Sequence, residues 1–227
     1  MTCVATFPHF SGQGLEETIG MTFLSCLTSP YGDRCAPTLS PEDELRYSQE
    51  AERLFELEEF GAAADTLNIL IAARPQDTHY RALRGYAAAQ SGDIEESMWE
   101  FRSALAIDEF DAEVFFWRGA VKAELGDLRG ALRDATEATR LDEEDPRAFQ
   151  LGAVAAMQLG DLDEALAFAE AGILLAGDRC VTCFGIAGLV LTKSQTASVR
   201  DMGCEYLSRA GELGDEEAYG LIRENCQ

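Results

Sequence analysis

The side chains best equipped for chemistry in this chain are its seven cysteines, and they are unevenly placed. Cys3, Cys26 and Cys35 lie near the N-terminus, Cys180, Cys183, Cys204 and Cys226 near the C-terminus, and none falls between. The Cys180-x-x-Cys183 spacing puts two sulfurs on one face of a helix. Together with Cys204 and Cys226 it offers four thiols that could bind zinc, exchange disulfides or pack as small hydrophobes. Zinc usually takes two short-spaced pairs, whereas Cys204 and Cys226 stand 22 residues apart. Cys204 also sits among small packing residues. The packing, redox and zinc readings all stay open, with no resident metal or cofactor expected.

Acid–base chemistry has little to work with. The two histidines are His9 and His79, too few for most nucleophilic constellations. His79 opens a helix and reads as a surface or groove residue. Glu95-Glu96 and Glu143-Glu144 read as solvated helix faces and turns in so acidic a chain, and no glycine-rich phosphate loop is found. No catalytic residue is assigned, and the chain is expected not to be an enzyme.

The charge balance narrows the partners. Asp and Glu number 41 against 18 Lys and Arg, a formal net charge of −23, and Lys122 and Lys193 are the only lysines. Such a field repels nucleic acid and anionic membrane. It suits a protein partner that is basic or neutral and apolar. No stretch is long and apolar enough to insert into a membrane. The N-terminus lacks the basic start of a signal peptide, and Glu16 and Glu17 precede the faintly lipoprotein-like run Met21-Thr22-Phe23-Leu24-Ser25-Cys26. A cytoplasmic chain with mostly reduced cysteines is the expectation.

The elements that must position these residues emerge from a repeat. Gly92-Asp93-Ile94, Gly126-Asp127-Leu128 and Gly160-Asp161-Leu162 recur every 34 residues. Gly85, Gly119 and Ala153 keep the same phase, as do Ser97, Ala131 and Ala165, and Ala104, Ala138 and Gly172. Extended backwards, the phase gives four repeats: 44–77, 78–111, 112–145 and 146–179. In each, apolar residues follow helical spacing, as at Leu54, Phe55 and Leu57 and then Leu67, Leu70 and Ile71. Each glycine ends one helix and each aspartate caps the next. The fold expected is an all-α solenoid of antiparallel helix pairs, with close contacts where the small residues lie.

On these columns the chain resembles tetratricopeptide-repeat proteins across residues 44–179. Glu109 and Glu143 replace the usual closing proline, and Arg81 and Arg84 stand where apolar residues are more common. Residues 180–227 read as a degenerate fifth repeat, with helices over Phe184–Leu191 and Ala197–Leu213, and a final helix capped by Asp215. Residues 1–43 are a separate N-terminal segment with a short amphipathic helix at 15–28. Its stripe of Leu15, Ile19, Phe23 and Leu27 suits a cap on the first repeat, contact with a second copy in a homodimer, or a partner mimic lying in the groove.

The resemblance implies a concave groove lined by the first helix of each repeat. It assigns Leu45, Ser48, Glu52 and Phe55; His79, Ala82, Tyr86 and Ala89; Glu113, Phe116 and Ala120 with Trp117 beside them; and Arg147, Gln150, Val154 and Met157. The rims carry Glu52, Glu56, Glu113 and Glu124. Such a trough suits a protein client with apolar anchor residues and positive flanking charge. Ser48, Glu52, Tyr86, Ala120 and Lys122 disfavour a clamp for acidic chaperone tails, since Glu52 repels them. The layout from Leu39-Ser40-Pro41-Glu42 through the third repeat is similar to class II chaperones of type III secretion. A dedicated chaperone, a structural adaptor and a thiol-based redox or zinc protein are thus the functions to separate.

Overall fold

The structure is a computed structural model that describes residues 39–226. The N-terminal stripe, His9, Cys3, Cys26 and Cys35 lie outside the described residues. The described chain runs through α1 (Pro41–Glu56), α2 (Phe60–Ala73), α3 (Thr78–Gln90), α4 (Ile94–Ile107), α5 (Ala112–Glu124) and α6 (Leu128–Leu141). It continues through α7 (Pro146–Leu159), α8 (Leu162–Ala176), α9 (Val181–Thr192), α10 (Ala197–Glu212) and α11 (Glu216–Asn225). Among the described residues there is no strand. Odd and even helices pair across short turns, and α3, α5, α7 and α9 also pack on one another in sequence.

Local chemistry sets the boundaries. Gly92, Gly126 and Gly160 have φ of 86°, 81° and 80°, so the chain leaves each first helix in a conformation that costs a side chain dearly. Asp93, Asp127 and Asp161 then cap α4, α6 and α8, each accepting an N–H from the first turn. A second series, Asp77, Asp111 and Asp145, caps α3, α5 and α7 in the same way. Repeat one departs from this grammar. The glycine position holds Glu58 at φ 57°, and Glu59, at the N-cap of α2, makes no side-chain cap bond.

The small columns lie at the contacts between paired helices. A Cβ on Gly119 would meet Leu151 Cδ2 at 2.9 Å and Asp134 Cβ at 3.1 Å, so α5 and α6 approach where only hydrogen fits. Ala63, Ala131, Ala153 and Ala165 are fully buried. Arg81 and Arg84 are not errors in the pattern. They reach the fully buried carboxylate of Glu100 on α4, and Arg84 also bonds Glu96 at 2.6 Å. One repeat on, Arg118 and Lys122 hold Asp134 at 2.7 Å each.

The C-terminal third corrects the expectation of reduced thiols. Cys180 is bonded to Cys183, and Cys204 to Cys226, with Cα separations of 5.2 and 5.8 Å. Cys180 sits at the N-cap of α9 and Cys183 in its first turn, which brings the first pair within bonding range. Both belong to the buried core shared with α7 and α8, whereas Cys204 and Cys226 are partly exposed. With all four thiols in disulfides, the zinc reading has no thiolates left to use. The chain then folds back through α11, capped by Asp215, which packs Ala218 against Phe184 and Ala210. No described helix is long and apolar enough to cross a membrane.

Candidate peptide-binding groove

The first helices bring together a continuous string of aromatic side chains. Phe55 on α1 lies 6.1 Å from Tyr86 on α3, and Tyr86 lies 4.8 Å from Trp117 on α5. Trp117 is 5.0 Å from Phe116, and the Arg147 guanidinium of α7 stacks over Phe116 at 4.8 Å. All four rings are partly exposed. The rings are not equivalent positions of the repeat: Phe55, Tyr86 and Trp117 follow one another at 31 residues rather than 34, so the ridge runs obliquely across α1, α3 and α5.

Polar stitches run alongside. His79 Nδ1 is 2.9 Å from a Glu113 oxygen, and Trp117 Nε1 donates to the other at 3.2 Å. Gln90 donates to Glu124 at 2.6 Å, and Gln150 to Thr182 at 3.1 Å. The bond to Glu113 holds the His79 imidazole above its ordinary value, although partial burial opposes it. Burial alone would push the Glu113 carboxyl up, but the bonds from His79 and Trp117 and the charge of Arg147 bring it below the usual range. Burial, and then the carboxylates of Glu124 and Glu58, push the Tyr86 phenol up. Asp145 grips Arg147 with several contacts, the shortest 2.8 Å.

The residues expected in the groove are not equivalent. Glu52, His79 and Arg147 are exposed, and Ser48, Phe55, Tyr86, Ala89, Glu113, Phe116, Trp117, Ala120 and Gln150 are partly so. Val154 and Met157 lean on the core beneath α7 and α8. Ala82 has no accessible surface and packs with Phe101, Ala104, Val114 and Val121, so it underlies Tyr86 and cannot touch a ligand. Its small side chain is drawn into the core where α3 meets α5. Phe60, not among the expected groove residues, also belongs to the ridge, 6.0 Å from Phe55 and 6.3 Å from Tyr86. The signal was present: Phe60, Ile94, Leu128 and Leu162 form one column at the repeat interval. It was hidden because Glu58-Glu59 replaces Gly-Asp in repeat one.

This architecture is a tetratricopeptide-repeat solenoid, and solved structures share it. Pseudomonas aeruginosa pilF superposes with a TM-score of 0.70 at 19% identity, over 80% of this chain and 82% of that one. YrrB, described as a TPR protein with an unusual peptide-binding site, gives 0.57 at 21% identity over 81% of this chain and 93% of its own. TTC0263, a TPR protein of Thermus thermophilus, gives 0.59 at 14% identity over 81% and 97%. No family model and no curated protein sequence matches the chain.

Proposed function

We propose that this chain is a protein–protein interaction scaffold that holds an extended segment of a client protein against the ridge formed by Phe55, Tyr86, Trp117 and Phe116. The observation that carries the reading is the continuity of that ridge across three first helices, α1, α3 and α5, with all four residues partly exposed. Aromatic side chains supply large contact area at low entropic cost, and clusters of them make binding hot spots. The peptide-binding site in the name of YrrB, which shares the fold, supports the same use. A secretion-type chaperone is the form of this activity that the N-terminal layout favours. The work is binding and shielding rather than catalysis.

The adaptor reading draws on a different observation. Trp99 on α4 and Leu174 on α8, both on second helices, are 49% and 86% exposed. A second partner could use them while the groove is filled.

Affinity capture from the native host tests the proposal, comparing the intact chain with a Tyr86→Asp, Phe116→Asp variant by mass spectrometry. A client retained only by the intact ridge is the expected result. Identical captures by both proteins would overturn the groove reading.

A further inference from the structure

Resting on that groove reading, we infer that the bound segment is anchored by an arginine stacked on Tyr86 and Trp117 and met by the carboxylates of Glu58 and Glu124. The two rings lie 4.8 Å apart, tilted by 42°, and both residues are partly exposed, so the ring surface left open to solvent attracts a cation. The groove already contains one such arrangement. At its other end Arg147 stacks over Phe116 with Asp145 as its counter-ion. The Tyr86 end has the rings and the carboxylates, and its arginine would come from the partner.

Charge complementarity points the same way. Glu124 is exposed and sits beside Gln90, one turn beyond Tyr86 on α3. Glu58 is exposed in the turn after α1, where its N–H bonds the carbonyl of Phe55 at 3.0 Å. Both carboxylates act on the Tyr86 phenol. Glu113 has both carboxylate oxygens taken, by His79 and Trp117, whereas Gln90 takes one oxygen of Glu124, so Glu124 and Glu58 serve as the counter-ions. Around this site the net charge of −23 steers basic segments inward and turns acidic ones away. A guanidinium fits better than an ammonium, because its plane stacks on rings while its edge forks to carboxylates.

Glu58 also stands where the other repeats use glycine, at φ 57°. A glycine there would relax the backbone, so retaining a carboxylate at this corner works against stability. Stability and recognition should therefore separate at this residue.

The probe is a random 12-residue peptide library, selected on the full chain and on a Tyr86→Leu, Trp117→Leu variant that keeps the charge and removes the ring faces. Arginine enriched only in peptides that need the rings is the expected outcome. Replacing that arginine by citrulline in a selected peptide should weaken binding roughly tenfold, the scale of a desolvated cation–π contact. Glu58→Gly should weaken the same peptide several-fold while raising the melting temperature. Ring-dependent peptides without basic enrichment would overturn the arginine anchor and leave the groove standing. Arginine enrichment that persists on the leucine variant would also overturn it, as an effect of overall charge. No ring-dependent peptide at all would overturn both.

Discussion

At the scale of single residues, the repeats act as controls for one another. Ser97 is fully buried and its hydroxyl has no hydrogen-bond partner among the described residues. The same column holds Ala63, Ala131 and Ala165, all fully buried. Hiding an unpaired hydroxyl costs about 1–3 kcal/mol. Ser97→Ala should therefore raise stability by about 1 kcal/mol, read as a higher urea midpoint at unchanged slope. A lowered midpoint would mean that the hydroxyl is satisfied. His79 supplies a pH dependence whose sign is fixed. Its folded value lies above the ordinary 6.5, so its contribution is complete below that value and is lost as pH rises through the folded one. Glu113 lies below its ordinary 4.5, so its share is complete above that value and is lost as acid is added. The stitch between α3 and α5 should thus be firmest in mildly acidic solution, with Glu113, Asp77, Asp111 and Tyr80 around the imidazole. His79→Gln should flatten the alkaline limb of the stability profile, and an imidazole titration by NMR should show the raised midpoint directly.

At the scale of elements, two columns solve one packing problem in two ways. Arg84 with Glu100, and Arg118 with Asp134, join first to second helices through buried ion pairs. In repeat four the same positions are Gly152 and Phe168, and a Cβ on Gly152 would lie 2.6 Å from that ring. An arginine and a carboxylate have been exchanged for a ring filling the space over a glycine. Removing one ionic partner strands the other, at about 3–5 kcal/mol. Asp134→Ala should fall in that range by denaturant unfolding, while Arg118→Met with Asp134→Leu should recover much of the loss. Gly119→Leu should lower the melting temperature strongly, because its side chain would enter Leu151 and Asp134. Phe116→Ala should mainly weaken client binding, and equal thermal losses in the two variants would count against the groove. These columns also mark what was legible. The glycine–aspartate turns and small contacts stood out because each is a local, single-residue demand repeated at fixed phase. Arg81 and Arg84 looked misplaced because hydrophobic periodicity ignores a carboxylate one helix away. Ala82 was misplaced for a related reason: an inward-facing position is open or sealed according to the tilt of its neighbours.

At the scale of the whole molecule, a solenoid distributes stability in one dimension, since each pair touches only its neighbours. An end must then be covered, and here α11 covers it. Ala218 packs against Phe184 and Ala210, and the Tyr219 ring lies where a Cβ on Gly211 would come within 2.9 Å. The disulfide between Cys204 and Cys226 fastens this cap across a separation of 22 residues. Closing a loop of that size is worth about 3 kcal/mol in the chain-entropy account. Partial exposure leaves the bond open to a reductant, whereas the Cys180–Cys183 pair lies in the core. Mild reduction, or a Cys204→Ala, Cys226→Ala variant, should therefore loosen the molecule from one end. Hydrogen exchange should report lost amide protection in α11 and then α10, with α3 to α6 unchanged, because the described helix pairs pack chiefly on their immediate neighbours. The ridge of Tyr86 and Trp117 should bind as before. Equal loss of protection along the whole chain would show that the repeats unfold as one unit, and the end cap would then govern the groove as well.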